Sequence, residues 1–287
     1  MERSFRRPST VFSVAMSGLT ALLAFMAVIP LFSVLYMLCV RGGRHLSWEA
    51  LTALPPTAFE EGGGFGNAIV GTLVMVGIGV LITVPSGILS AIFLAEIGPE
   101  SRVAGIVRFC AKVLTGFPSI LAGVFVYGIL VATTKTPSSV AGGVALAVLM
   151  LPTIMLTAEE AIRTVPRRMR EAAIGMGATQ SQTVCRVMLP TAMPGIMTGI
   201  MLAVARAAGE TAPLLFTALF SNYWIMTNGK LDLMQPTASL AVLIYNFSGV
   251  PFENQKDLAW AAALVLVLIV LAANLAGQVF SRHAVRD

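Results

Sequence analysis

An arginine and a glutamate stand four positions apart in the otherwise apolar stretch AVARAAGETAPLL, residues 203–215. Four helical residues turn through about 400° and rise about 6 Å, so Arg206 and Glu210 are predicted to project from nearly the same face. A guanidinium presents a planar fork of donors to an oxyanion, and a neighbouring carboxylate can orient that fork or accept a proton-bearing oxygen. The pair indicates either an anion path or a salt bridge that only locks helices together.

The composition restricts where such a pair can lie. The 287 residues are 56% hydrophobic and only 11% charged, with a mean hydropathy of +0.84, which is typical of an integral membrane protein. A charge at the centre of a bilayer costs roughly 2.5 to 3.5 kcal/mol even on insertion-based scales. The face that carries Arg206 and Glu210 is therefore predicted to meet protein or water and not lipid.

Six uncharged windows are long enough to cross a bilayer, because about 20 apolar residues span its hydrocarbon core. They cover residues 11–40, 62–95, 113–134, 136–158, 187–205 (continuing past Arg206 and Glu210 to 229) and 258–281. A seventh window, 233–252, has a short apolar centre between Pro236 and Gly249, so we expect a partial or interfacial helix there. The sequence predicts an all-α integral membrane protein with six transmembrane helices.

Basic residues are distributed unevenly between the predicted loops. The inner segments, which include Arg3, Arg6, Arg7 and Arg286 near the chain ends, hold 13 of the 19 lysines and arginines, and the outer segments hold five. Cytoplasmic loops accumulate Lys and Arg, so both chain ends are predicted to be cytoplasmic. This anchoring role accounts for the net charge of +5, and no nucleic-acid partner is expected.

Motifs for bound cofactors are absent from the sequence. No GxxxxGK[ST] phosphate loop occurs, so the chain is not expected to bind ATP itself. The cysteines, Cys39, Cys110 and Cys185, are widely separated, and neither histidine has a Cys or carboxylate cluster around it, so no metal site or disulfide framework is predicted. We expect no cofactor and no enzymatic activity, and any energy that the protein uses must come from a gradient or from another chain.

The loop between the fourth and fifth predicted spans contains EAAIGMGATQSQTVCRVMLP, residues 171–190. Pro166 suits the first turn of a short helix, and Gly175 and Gly177 allow a turn before a second helix leads into the fifth span. A short helix with small residues on one face can sit in a groove of a soluble partner. The loop therefore predicts a coupling element on the inner side.

This loop resembles the EAA loop of the permease subunits of ABC importers. Six positions match the family pattern: Glu171, Ala172, Ala173, Gly177, Leu189 and Pro190. At a seventh position of the pattern, Val187 stands where isoleucine is usual. The resemblance implies the type I importer permease architecture in a bacterial inner membrane. It also implies that an ATPase homodimer, which binds the ATP, docks at residues 167–190.

Other stretches resemble the phosphate permeases of that family, namely VLTGFPSILAGVFVYG and ARAAGETAPLLFTA. The resemblance covers about residues 65–281, the expected permease core, between an N-terminal part at 1–64 and a short tail at 282–287. It implies a second permease subunit and an external phosphate-binding protein as partners. The predicted substrate path consists of Arg206 and Glu210, with Thr211, Thr115 and Ser119 as supporting polar contacts.

Three alternative functions remain at this point. The chain could be the sister permease of the same importer, although the sequence has no large extra outer insertion. It could serve another oxyanion, such as sulfate or molybdate. A third alternative is an ATP-independent secondary transporter in which Arg206 and Glu210 couple to protons, but the EAA loop argues against that class.

Overall fold

The computed structural model describes residues 8–227 and 229–283. Arg3, Arg6, Arg7 and Arg286, predicted for the inner surface, lie outside the described residues. The helices are α1 (Pro8–Met37), α2 (Trp48–Thr52), α3 (Gly66–Ile92), α4 (Arg102–Thr115), α5 (Ser119–Val126), α6 (Ala132–Thr134), α7 (Ser139–Arg163), α8 (Arg167–Gly175), α9 (Gln180–Thr183), α10 (Leu189–Ala208), α11 (Leu214–Thr217), α12 (Leu240–Ser248) and α13 (Glu253–His283). An antiparallel hairpin pairs β1 (Met226–Thr227) with β2 (Lys230–Leu231), and π-helical turns occupy Leu38–Gly42, Phe93–Ile97, Tyr127–Val131 and Val184–Met188.

Helices long and apolar enough to cross a membrane account for most of the described chain. Five single stretches have this character: Phe12–Gly42, Gly66–Ile97, Ser139–Arg163, Gln180–Ala208 and Glu253–Val279. The helices Arg102–Thr115 and Ser119–Thr134 are bent by 109° relative to each other and pass the same test as a pair. Counted as one span, this pair brings the number to six, which agrees with the predicted all-α architecture.

The predicted third span, 113–134, is wrong at its beginning. Residues 113–115 belong to α4, and the helix that follows the bend begins only at Ser119. Gly116 ends α4, and Pro118 disfavours a helical conformation at the residue before it, so the chain turns between the two helices. α4 is amphipathic, with basic residues such as Arg108 among exposed apolar ones, and it packs on the inner end of α7.

Small residues allow the central helices α3 and α7 to approach closely. A methyl group built on Gly143 of α7 would lie only 2.6 Å from Ile78 Cβ of α3. Met75, Leu146 and Met150 fill the space beside this contact and are almost completely buried. Because lipid provides no hydrophobic force between helices, close van der Waals packing of this kind holds membrane helices together.

The first span is the most exposed of the candidate spans. Only 6% of the apolar window in Phe12–Gly42 is buried inside the chain. It contacts the rest of the bundle at its C-terminal end, where a methyl group on Gly42 would lie 2.6 Å from the Trp260 carbonyl oxygen of α13. Arg41 stacks over the ring of Trp260 at 5.4 Å, a cation–π contact that fixes the same end.

The window 233–252 forms a partial helix, as predicted. α12 has nine residues, too few to cross a bilayer, and it packs between α3 and α13 with Leu240 and Leu243 fully buried. The side chain of Ser239 caps its first turn. The Leu240 N–H donates to Thr72 Oγ1 of α3 at 2.9 Å, so the second span also supports the start of this helix.

Polar side chains tie the outer loops to the ends of the spans. Asn67 Nδ2 donates to the carbonyls of Ser221 (2.8 Å) and Tyr223 (3.2 Å), and Gln255 Nε2 donates to the Pro56 carbonyl (3.0 Å). In the first outer loop, backbone and side-chain hydrogen bonds from Thr57 hold the pKa of the Glu60 carboxyl below its ordinary value. The segments predicted to be external therefore meet at one end of the bundle.

The segments predicted to be internal meet at the opposite end. Arg108 Nε donates to Glu159 Oε1 at 2.7 Å, and Arg163 Nη2 lies 2.8 Å from the same oxygen. The Glu159 side chain is 7% exposed, so two cations compensate a buried carboxylate. Basic residues from separate inner segments thus share one end, as the charge distribution predicts.

Candidate functional site

The inner loop between the fourth and fifth spans folds as two short helices, as predicted. α8 begins directly after Pro166, and Gly177 follows its end with a φ of +86°. The Gly177 N–H donates to the Ile174 carbonyl (2.9 Å), and the Ala178 N–H donates to the Ala173 carbonyl (3.1 Å). These two bonds form a Schellman motif, whose left-handed position favours glycine because it has no Cβ.

The second helix of the loop continues into the fifth span. Thr179 and Gln182 form a reciprocal capping box, in which each side chain accepts from the backbone N–H of the other residue. From there α9, a π-helical turn and α10 form one helical span, Gln180–Ala208, of 29 residues. At 1.5 Å per residue this span is about 43 Å long. Pro190 and Pro194 lie within this span.

The predicted coupling residues divide into an exposed and an inward group. The exposed residues are Glu171, Ala172, Gly177 and Pro190. The inward residues are Ala173, which is 3% exposed, and Leu189, which packs against the inner core cluster. The inward residues hold the loop to the membrane helices, and the exposed residues are available to a soluble partner.

Two apolar residues at the tip of this loop escaped the sequence prediction. Ile174 is 54% exposed and Met176 is 84% exposed, on either side of the helix end. Large apolar side chains at such a tip suit a protein contact, and methionine adapts well to an irregular groove. The signal was present in the sequence, since both residues flank Gly175 in a stretch, 170–183, that is otherwise polar or small.

The fifth span ends earlier than predicted. α10 stops at Ala208 with Gly209 as its C-cap, whereas the uncharged window continues to residue 229. Glu210 therefore lies beyond the helix, and the prediction that both charged side chains stand on one helical face is wrong in that respect. The window reports only apolarity and cannot distinguish helix from irregular backbone. Gly209 and Pro213 carried the local signal for the break.

Arg206 and Glu210 nevertheless form an ion pair. Arg206 Nε lies 3.3 Å from Glu210 Oε1, and the side chains are 45% and 14% exposed, respectively. Within the described part of the chain this is the one hydrogen bond that the guanidinium makes, so its two terminal nitrogens remain available to a ligand. The carboxylate orients the guanidinium and offsets part of its charge.

Residues 209–218 run through the bundle without continuous helix, since only the single turn α11 (Leu214–Thr217) is helical. A methyl group built on Gly123 of α5 would lie 2.5 Å from Pro213 Cα, so the segment packs backbone-first on the third span. Thr217 Oγ1 donates to the Pro213 carbonyl, and the Ser138 N–H donates to the Thr217 carbonyl, both at 2.9 Å. Non-helical backbone is tolerated in a membrane where protein covers it or where it lines a cavity. A broken helix of this kind forms the substrate site in many transporters.

The three predicted supporting hydroxyls lie near this break to different degrees. Thr211 follows Glu210 in the irregular segment, and its carbonyl accepts from the N–H groups of Leu214 and Leu215. Ser119 is the first residue of α5, whereas Thr115 lies across the bend at the end of α4 and donates to the Lys112 carbonyl at 2.7 Å. No described hydrogen bond joins these hydroxyls to the ion pair, and their role in a substrate path stays a prediction.

The fold and the coupling loop define the class of the protein before any relative is considered. A bundle of membrane helices, an exposed inner loop of two short helices and a broken fifth span are together typical of a membrane permease subunit. Among the described residues, no group of three or more His, Cys, Asp or Glu side chains is arranged to hold a metal ion.

Comparison with known proteins agrees with that class. The family described as "Binding-protein-dependent transport system inner membrane component" matches residues 84–286. The chain is 40% identical to the phosphate transport system permease protein PstA of Haemophilus influenzae, over 93% of each chain. It is 36% identical to the protein of the same name from Yersinia pestis, over 97% of this chain and 92% of that one.

The chain belongs to the family of binding-protein-dependent inner-membrane transport components, in the branch of the PstA permeases. It is a multi-pass protein of the inner membrane.

Solved structures share the fold at low sequence identity. A bacterial alginate ABC transporter, crystallised with a periplasmic protein bound to an alginate pentasaccharide, matches with a TM-score of 0.65 and 16% identity over 99% of both chains. The MetNI methionine ABC transporter, in an inward-facing conformation, matches with a TM-score of 0.58 and 20% identity over 77% of this chain and 94% of that one. The architecture is that of a type I ABC importer permease.

Proposed function

We propose that this chain carries inorganic phosphate into the cell as one of two permease subunits of an ATP-driven importer. Its partners are a PstC-like second permease, a PstB-like ATPase homodimer that binds the ATP, and a PstS-like external phosphate-binding protein. The ATPase docks on residues 167–190, and the binding protein docks on the outer loops. Phosphate crosses by alternating access at the interface between the two permeases.

One observation supports this proposal above the others: the coupling loop and the Arg206–Glu210 ion pair stand at opposite ends of the same helical span, Gln180–Ala208. A helix of this length transmits a displacement of the loop to the ion pair without any intermediate side chain. Closure of an ATPase dimer on α8 would therefore alter the position of Arg206 directly.

The chemistry of the ion pair suits transient binding of phosphate. The free guanidinium nitrogens of Arg206 provide parallel donors for two oxygens of the ion. Transport requires that binding be weak enough for release, and the Glu210 carboxylate lowers the local positive charge. Thr211, Ser119 and Thr115 provide further hydroxyls for the path in this proposal.

Two alternatives lose support. Membership of a binding-protein-dependent family argues against an ATP-independent secondary transporter. The relatives named PstA argue against the sister permease. A permease for sulfate or molybdate would use the same fold, so oxyanion competition is the measurement that separates it from a phosphate permease.

The test is uptake of labelled phosphate into proteoliposomes that contain this chain, its permease partner and the ATPase, with binding protein outside and ATP inside. The proposal is supported if uptake requires ATP, and if unlabelled phosphate competes with the labelled ion while excess sulfate or molybdate does not. Uptake without ATP would overturn the coupling assignment. Stronger competition by another oxyanion would overturn the substrate assignment and leave the importer architecture intact.

Replacing the central arginine tests the path itself. We expect Arg206→Gln to abolish phosphate uptake while the complex still assembles, because the variant loses the donors for the ion. Arg102→Gln, at an exposed inner position outside residues 167–190, is the matched control and should transport normally. Failure of Arg206→Gln to assemble would instead identify the ion pair as a structural lock between helices.

A further inference from the structure

The coupling helix α8 is attached to the membrane helices by few of its own side chains. Ala173 is buried, and Arg170 is half-buried and forms an ion pair with Glu96 at the inner end of the second span. Arg167 and Arg168, on the same helix, are exposed and make no ion pair within the described residues. Arg170 is thus the basic residue of α8 that reaches another element of the bundle.

Glu96 lies in an environment that makes its ion pair difficult to separate. Its side chain is 5% exposed, whereas Glu253 in the surface pair with Lys256 is 81% exposed. An exposed pair separates at little cost because water replaces the partner. A buried carboxylate that loses its cation has no such replacement and is strongly destabilised. Arg170 and Glu96 are therefore expected to move together when α8 moves.

The π-helical turn that carries Glu96 also contacts arginines of two other helices, α4 and α7. The Leu94 carbonyl accepts from Arg108 Nη2 at 2.6 Å and lies 3.5 Å from Arg163 Nη2. In a π-helical turn this carbonyl would bond to the residue five positions on, but Pro99 has no N–H to donate. The Leu94 carbonyl can therefore accept from arginines of α4 and α7. It lies in the same turn as the Glu96 carboxylate, which pairs with Arg170 of α8.

We propose that the Arg170–Glu96 ion pair passes the movement of the coupling helix to the second membrane span, and that both are positioning residues for transport. The proposal rests on the proposed function, in which a partner ATPase displaces α8. Continuous helix already joins the coupling loop to the fifth span. The ion pair adds a second attachment, so that one displacement moves the second and fifth spans together.

Charge reversal in the complete reconstituted importer tests this link. In Arg170→Glu and in Glu96→Arg, we expect phosphate imported per ATP to fall about tenfold because the two groups repel. Recovery of the complex and ATP hydrolysis are measured in the same preparations. The double variant Arg170→Glu/Glu96→Arg restores opposite charges. It should return the transport ratio to within about threefold of the wild type.

Arg102→Glu is the matched control, because it reverses an exposed charge at the start of α4, outside the docking residues 167–190, and should leave phosphate imported per ATP unchanged. A normal ratio in both single reversals would overturn the proposal, as would a double variant no better than the single ones. A purely structural pair would lower complex recovery and ATP hydrolysis together with transport. The ratio of phosphate to ATP separates that case from loss of coupling.

A neutral pair covers the case in which the reversed charges prevent assembly. Arg170→Gln/Glu96→Gln leaves no unpaired charge in the buried site, so it should assemble, but the attraction that links α8 to the second span is absent. We expect a reduced ratio of phosphate to ATP in this variant, and a wild-type ratio would overturn the proposal. Absence of ATP-dependent uptake in the wild-type importer would overturn the proposed function instead, before any variant is compared.

Discussion

Arg206 and Glu210 are joined at 3.3 Å across the end of a membrane helix, with Arg206 in the last turn of α10 and Glu210 beyond it. The two side chains therefore belong to elements that can move relative to each other: a helix connected to the coupling loop, and an irregular segment packed on the third span. A salt bridge within one helix would be insensitive to such movement. The break makes the charge balance around Arg206 dependent on conformation.

Glu210→Gln tests whether that charge balance controls phosphate release. The substitution keeps the size of the side chain but removes the negative charge, so the guanidinium holds a divalent anion more tightly. We expect the maximal uptake rate to fall about tenfold, which corresponds to about 1.4 kcal/mol of added retention. The measurement is initial uptake in proteoliposomes over a range of loaded binding protein.

Glu100→Gln serves as the control for that experiment, because it removes an exposed carboxylate on the inner side, outside the docking residues 167–190. It should transport at the wild-type rate. Uptake by Glu210→Gln at the wild-type rate would contradict a role in release. A variant that does not assemble would place the ion pair in the structure of the bundle and not in its path.

Local sequence signals were sufficient for the coupling loop. Pro166 begins α8, Gly177 ends it in the left-handed conformation, and the Thr179 cap starts the next helix. Each of these effects depends on one residue and its immediate neighbours, so no tertiary information is needed. The first, second, fourth and sixth predicted spans likewise differ from the observed helices by at most five residues at either end.

Counting uncharged residues could not locate the end of the fifth span or the bend before the third span, because glycine and proline interrupt a helix without adding charge. How the chain packs after each break needed tertiary information. Gly123 provides the surface on which the unwound segment packs, and that contact joins residues 90 positions apart. The Arg170–Glu96 pair could not be predicted either. The charge distribution places both residues on the inner side of the membrane, but it does not show which inner residues are in contact.

Gly177→Ala tests the conformation of the coupling loop. The left-handed φ of +86° costs an L-residue with a Cβ about 1 to 2 kcal/mol, so the turn between α8 and α9 should rearrange. We expect weaker recovery of the ATPase on pull-down with unchanged insertion in the membrane, and a stronger loss for the bulky Gly177→Trp. Gly175→Ala is the control, because Gly175 is helical with no atom within 4 Å of its Cβ position. Equal ATPase recovery for all variants would contradict docking at this loop.

Gly199→Ala tests the contact between the fourth and fifth spans. A methyl group on Gly199 of α10 would lie 2.7 Å from Thr157 Cβ of α7 and would also collide with Thr157 Oγ1. Overpacking of this kind typically costs about 1 to 3 kcal/mol, so we expect a lower melting temperature in detergent and slower transport. Gly77→Ala in α3 meets no atom within 4 Å and should leave stability unchanged or slightly raised. The double variant Gly199→Ala/Thr157→Gly returns the space to the opposite helix, so partial recovery is expected. If Gly199→Ala melted and transported like the wild type, close approach of these two helices would not be required for the coupling loop to act on the ion pair.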